Sequence, residues 1–213
     1  MPASSPLQNR VRPDGELVAT VERGTMMGNR GGRIHDVATR TLGGRRWTSR
    51  AWICCVLQFK DWYAEPWTDH YTELFFLDEV TALTAGHRPC YLCRRSDAVA
   101  FATAVAGAAG LGRPPAAPEL DRRLHAERLE GRAKRRHRER WAELPDGAMV
   151  ELEGDFVAVR GRELLPWSFA GYGAARARPR SGTASALTPP TVLAALRSGY
   201  RPGWHESAGP GSR

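Results

Sequence analysis

Phe75-Phe76-Leu77-Asp78-Glu79-Val80-Thr81-Ala82-Leu83-Thr84-Ala85-Gly86-His87-Arg88-Pro89-Cys90-Tyr91-Leu92-Cys93 is the stretch that organises this chain. An aromatic, strand-like run leads to Asp78, a residue type that caps helix N-termini by accepting backbone N–H groups. A short helix from Glu79 to Thr84 then ends at Gly86, which tolerates the left-handed conformation common just past a helix. Arg88-Pro89 turns the chain back and delivers two thiols at C-x-x-C spacing. Two cysteines so placed supply half of a tetrahedral zinc site, and the neighbouring Arg94 and Arg95 favour their thiolate forms.

The same stretch resembles the second half of the Ada-type zinc domain of bacterial adaptive-response DNA repair methyltransferases. Phe75 and Phe76 take the aromatic places of that pattern, Asp78 the cap, and Ala82 and Ala85 the alanine places. His87 stands where tyrosine is usual, and Cys90 and Cys93 match the last two zinc ligands. The resemblance covers residues 75–93 and implies bound Zn2+ and a link to DNA repair. It does not extend upstream, where the family has two cysteines three residues apart, one of them accepting a methyl group. The only other cysteines here, Cys54 and Cys55, are adjacent, and the Pro-Cys-His-Arg of the alkylguanine-repair half is absent. Methyl transfer is therefore not carried over.

The run Trp52-Ile53-Cys54-Cys55-Val56-Leu57-Gln58-Phe59 is dense in residues that favour strands. Adjacent residues of a strand face opposite ways, so one metal would use one of the two cysteines. Cys55, which shares its face with Ile53, Leu57 and Phe59, is preferred over Cys54 as third ligand. For the fourth, His35 is expected, since Gly31 and Gly32 permit close backbone approach and Asp36 would orient the imidazole. His87 is expected to point outward. An open fourth position would instead let the metal activate water, with Glu73 or Asp36 as base. Gly28-Asn29-Arg30-Gly31 is a candidate anion-binding nest, with Asn29 and Arg30 as its ligands. It lacks the Gly-Lys-Ser/Thr of a phosphate-binding Walker loop.

The chain has 213 residues, a formal charge of +8 and a pI near 9.9. Its only lysines are Lys60 and Lys134. Residues 121–140 hold nine Arg or Lys against four Asp or Glu. Read as one basic helix, this segment would track phosphates of DNA or RNA through Arg132, Lys134, Arg135, Arg136 and Arg138, together with Arg94 and Arg95. The competing reading is a solvated arginine-rich helix with internal ion pairs. The start shows no apolar signal-peptide core, and no apolar stretch is long enough to span a bilayer. A reducing cytoplasm is expected, where C-x-x-C means metal or redox work.

These signals predict an α+β fold. Residues 1–15 are expected to be disordered, 16–110 to form a zinc-stabilised Ada-like module, 111–119 a linker, 120–208 a basic helix, β-meander and terminal helix, and 209–213 a tail. Two functions follow as expectations. One is a zinc-stabilised nucleic-acid-binding protein. The alternative is a metal-supported, hydrolase-like enzyme for a small phosphate-bearing or nucleotide-like substrate, its site lined by Asn29, Arg30, His35 and Asp36.

Overall fold

A computed structural model describes residues 5–61 and 65–209. The fold is α+β, with helices packed between and beside two principal sheets. The first sheet takes strands β1 (Arg10–Val11), β2 (Leu17–Val18), β3 (Met26–Asn29), β6 (Ile53–Cys55), β7 (Leu74–Phe76) and β8 (Arg88–Pro89), in the order β2-β1-β7-β3-β6-β8. A separate hairpin, β4 (His35–Asp36) with β5 (Thr41–Leu42), lies between β3 and β6 in the chain. Helix α1 (Glu79–Thr84) follows β7 as expected: Asp78 Oδ1 accepts from the Thr81 backbone N–H and hydroxyl, both at 2.8 Å. Gly86 closes it at φ +91°, and a Cβ there would lie 2.5 Å from Arg128 Cδ, so both conformation and space demand glycine.

Within the segment expected to be disordered over 1–15, residues 10–11 form a strand. Arg10 and Val11 pair with β2, Arg10 also pairs with Phe75 of β7, and Val11 is fully buried among Leu17, Leu74 and Phe76. Residues 1–4 and 210–213, the ends of the expected tails, lie outside the described residues.

Helix α2 (Arg95–Ala108) and helix α3 (Ala117–Arg128) flank the Gly/Pro-rich segment expected as a linker. The basic segment is not one helix to residue 141. It leaves helical geometry at Leu129 and forms a hairpin, β9 (Leu129–Glu130) with β10 (Ala133–Lys134), turned by Gly131 at φ +61°. β11 (His137–Arg140) then edges the second sheet. That sheet continues with β12 (Met149–Leu152), β13 (Asp155–Arg160), β14 (Glu163–Ser168), β15 (Gly171–Tyr172), β16 (Arg176–Ala177) and β17 (Thr183–Ala186), in the path β11-β17-β12-β13-β14-β15, with β16 also on β14. Its antiparallel β12-β13-β14 part is the expected meander. Helix α4 (Pro190–Arg197) has proline in its first turn, as expected.

The cores cross the linker. One unites Leu83 of α1 with Phe101 and Val105 of α2, Leu120 and Leu124 of α3, and Leu196 of α4. Another joins Leu77 and Val80 to Met149, Ala158 and Leu165. All six residues of α1 are buried, and its start is polar but fully engaged. Asp78 also accepts from the Tyr172 hydroxyl and the His205 N–H, while Glu79 pairs with Arg94 at 2.8 Å and accepts from Tyr200 and Gly203. Buried charge is tolerated when so completely partnered. This network fixes α1, and so the turn that follows it, against the C-terminal part of the chain.

Candidate metal centre

Strand register assembles the site. β6 runs parallel to β8, with Ile53 opposite Arg88 and Cys54 opposite Pro89, so the next residues, Cys55 and Cys90, fall side by side. The Cys90 N–H donates to the Cys54 carbonyl at 2.9 Å and holds the turn there. The Sγ atoms of Cys55, Cys90 and Cys93 all lie within 4.8 Å of one another. Zinc–thiolate bonds of about 2.3 Å place the sulfurs of a tetrahedral site roughly 3.8 Å apart, a spacing that the 4.8 Å limit admits. The donor set fits a soft divalent metal such as Zn2+.

The surroundings already favour negative sulfur. The Leu92 N–H lies 3.4 Å from Cys90 Sγ, and the Val56 backbone supports Cys93. A hydrogen bond from the Cys55 thiol is the largest influence on both Cys90, whose pKa falls to about 5, and Cys93, whose pKa is also lowered. Cys55 is correspondingly raised, because it holds the proton its two neighbours share. A metal ion would replace that proton.

Cys54 faces the other way, as strand geometry requires. It is fully buried beside Leu74, Phe76, Ala82 and Ala85, with Arg94 Nη1 3.6 Å from its sulfur, and burial raises its pKa. His35 is not with the thiols. Its Nδ1 meets the Thr72 hydroxyl at 2.7 Å, its Nε2 meets the Thr68 carbonyl at 2.9 Å, and its ring stacks on Trp67 at 5.1 Å. Both nitrogens are occupied in anchoring the loop over residues 65–73. Asp36 is exposed and caps the turn at Thr39, away from the thiols. His87 is not on the surface: it is completely buried against Trp52 and Phe76. Among the described residues, no fourth histidine, cysteine or carboxylate joins the three sulfurs.

The three cysteines line a cavity of about 500 Å3. Its floor is one face of the first sheet. Met27 is in register with both Phe75 and Cys55, and Asn29 with Ile53, and all five line the cavity. Leu57, Phe59 and Pro66 extend its apolar wall, and Arg23 contributes a cation. Among the polar residues along it, Glu73 has a carboxylate that is almost wholly buried. Oε2 accepts from the Trp67 N–H at 2.9 Å, whereas Oε1 has only the His70 imidazole at 3.3 Å and makes no hydrogen bond. Tyr71, Glu73 and Phe75 alternate onto the cavity side, a period-2 signal visible in the sequence.

The other candidate residues disperse. Asn29 lines the cavity, but its Oδ1 accepts from the Gly31 N–H at 2.9 Å, closing the loop that would have formed a nest. Arg30 turns away from the cavity and stacks on Trp52. Arg94 is buried in its pairs with Glu79 and Asp97, and Lys134 is buried with its ammonium on the Thr84 carbonyl. Arg135 bonds to the Leu129 carbonyl, and Arg136 pairs with Glu151 at 2.6 Å. Arg95, Arg132 and Arg138 are exposed. These cations therefore do not share a single surface. No helix among the described residues is long and apolar enough to cross a membrane. The chain matches no protein-family model, no curated protein and no solved structure. The Ada-type resemblance thus rests on its motif over residues 75–93 alone.

Proposed function

We propose that this chain binds one Zn2+ through Cys55, Cys90 and Cys93 and uses the metal's fourth position to bind a small, largely apolar ligand or substrate in the adjoining cavity. The observation that carries this reading is the convergence of three thiols on the wall of a 500 Å3 apolar cavity with no fourth protein donor among the described residues. Structural zinc sites are usually closed by four protein ligands, whereas sites that act on small molecules keep a position open. Apolar walls with few polar groups are the usual form of a small-molecule site. Glu73, which lines the same cavity and whose Oε1 lacks a hydrogen bond, would exchange a proton with a metal-bound group. Arg30, His35 and Asp36 have no part in this site.

Cobalt substitution tests the reading. Co2+ should bind once per chain, and its visible bands should move when a small thiol or imidazole is added. Bands insensitive to either would mean a closed, four-ligand site and would overturn it.

Nucleic-acid binding is a second reading, favoured by one feature. Arg136, Arg138 and Arg140 are exposed and alternate with less exposed residues along the edge of the second sheet. An affinity for oligonucleotides that falls steeply with salt, and less steeply once these three are neutralised, would support it. No binding at low salt would dismiss it.

A further inference from the structure

Away from the thiols, three cations are buried with no carboxylate in direct contact. Arg30 and Arg128 place their guanidinium carbons 4.0 and 3.8 Å from the Trp52 ring centroid. Arg30 is 3 % exposed, Arg128 1 % and Lys134 8 %. Their hydrogen bonds go to neutral groups: Arg30 to the Gly15 carbonyl, Arg128 to the Gly86 and Arg50 carbonyls and His125, and Lys134 to the Thr84 carbonyl. Among the described residues none of the three has an ion pair. The nearby Arg88 is neutralised by Asp121, with both its Nε and Nη2 bonded.

Burying a charge without an ion pair is costly, and stacking on an indole recovers only part of that cost. The electron-rich faces of Trp52 therefore do not balance this cluster. Two donors are also unused, since the Nε atoms of Arg30 and Arg128 are buried without a partner. The three side chains border a cavity of about 20 Å3, enough for one water-sized species. Arg46 and Arg132 line it too. So do Asp14 and Glu16, but Asp14 is held by Arg12 at 2.7 Å and Glu16 is exposed.

We propose that Arg30, Arg128 and Lys134 bind one small inorganic anion of halide size in this cavity. The volume excludes oxyanion esters and nucleotides, and the donors suit a compact monovalent ion. Its place explains why cations from three separate segments tolerate one another. Arg30 follows β3, Arg128 ends α3, and Lys134 lies in the β9-β10 hairpin, so the anion would tie the first sheet to α3 and the hairpin. The nest expected at Asn29 and Arg30 is thus replaced by a side-chain site that keeps only Arg30. It is independent of the metal centre.

The experiment is denaturant unfolding of the full chain in sodium chloride and in sodium gluconate at equal ionic strength. Chloride, but not gluconate, should raise the folding constant, about tenfold for each tenfold rise in chloride above its dissociation constant. Bromide should substitute for chloride, and Lys134→Met should weaken the dependence. Crystals grown in bromide should show an anomalous peak between Arg30, Arg128 and Lys134, a readout that does not require the variant to fold. Equal stability in chloride and gluconate, or a cavity holding water in the bromide crystals, would overturn the proposal.

Discussion

Replacing Cys55 and Cys54 one at a time by alanine tests the metal centre through two neighbouring atoms that the strand sends to opposite faces. Cys55 is one of three converging sulfurs, and Cys54 is a core side chain with no exposed surface. If Zn2+ is present at a thousandfold excess over its dissociation constant, binding stabilises the wild-type chain by about 4 kcal/mol. For chains of 150–250 residues each kcal/mol moves the melting temperature by roughly 2–4 °C, so chelation should lower it by about 8–16 °C. Cys55→Ala should abolish that difference and take the zinc content from one per chain to none. Cys54→Ala should keep both, while losing about 1 kcal/mol with or without metal because a small cavity opens beside Leu74 and Phe76. The assays are elemental analysis and paired thermal melts with and without chelator. A Cys55→Ala protein that still carries one zinc and still melts higher with it would refute the assignment.

Three further outcomes follow from the same geometry. His35→Ala should leave zinc at one per chain yet increase proteolytic cutting of the loop over residues 65–73, because the imidazole anchors Thr68 and Thr72; loss of zinc would instead make it a ligand. Asp121→Asn leaves Arg88 buried with half of its bidentate partner gone, and should cost about 3–5 kcal/mol in urea unfolding; a change below 1 kcal/mol would mean the pair contributes little. Burial lowers the Lys134 pKa to about 7 from 10.5, so between these values the unfolded chain binds the extra proton and stability rises with pH. In halide-free buffer Lys134→Met should flatten that rise across pH 7–10.5, and an unchanged slope would place the group in a more polar setting.

Much of the three-thiol cluster was legible in the order of residues. The Asp78 cap, the short helix to Thr84, the glycine at 86 and the C-x-x-C turn are local features, set within a few residues by propensity and capping. The choice of Cys55 over Cys54 was also local, because strand residues alternate sides whatever lies above them. His35 failed as a ligand for a non-local reason. Nothing near it in sequence announces that Trp67, more than thirty positions away, would stack on its ring while Thr68 and Thr72 take both nitrogens. The basic segment failed as a single helix for a similar reason, since charge density does not show where the backbone turns or where each side chain goes.

By itself, then, the chain's sequence determined short-range geometry: which element each motif occupies, which thiols form a pair, and which side of a strand the third one takes. Only the tertiary structure decided what the thiols face. Pairing β6 with β8 and β3 with both β6 and β7 sets Cys55 beside Cys90 and spreads Met27, Asn29 and Phe75 into a cavity floor. It likewise turned Arg128 and Lys134 inward from a segment that looked uniformly solvated. The physical reason is that propensity and alternation act over a few residues, whereas cavities and buried charge clusters arise from contacts between segments far apart in the chain.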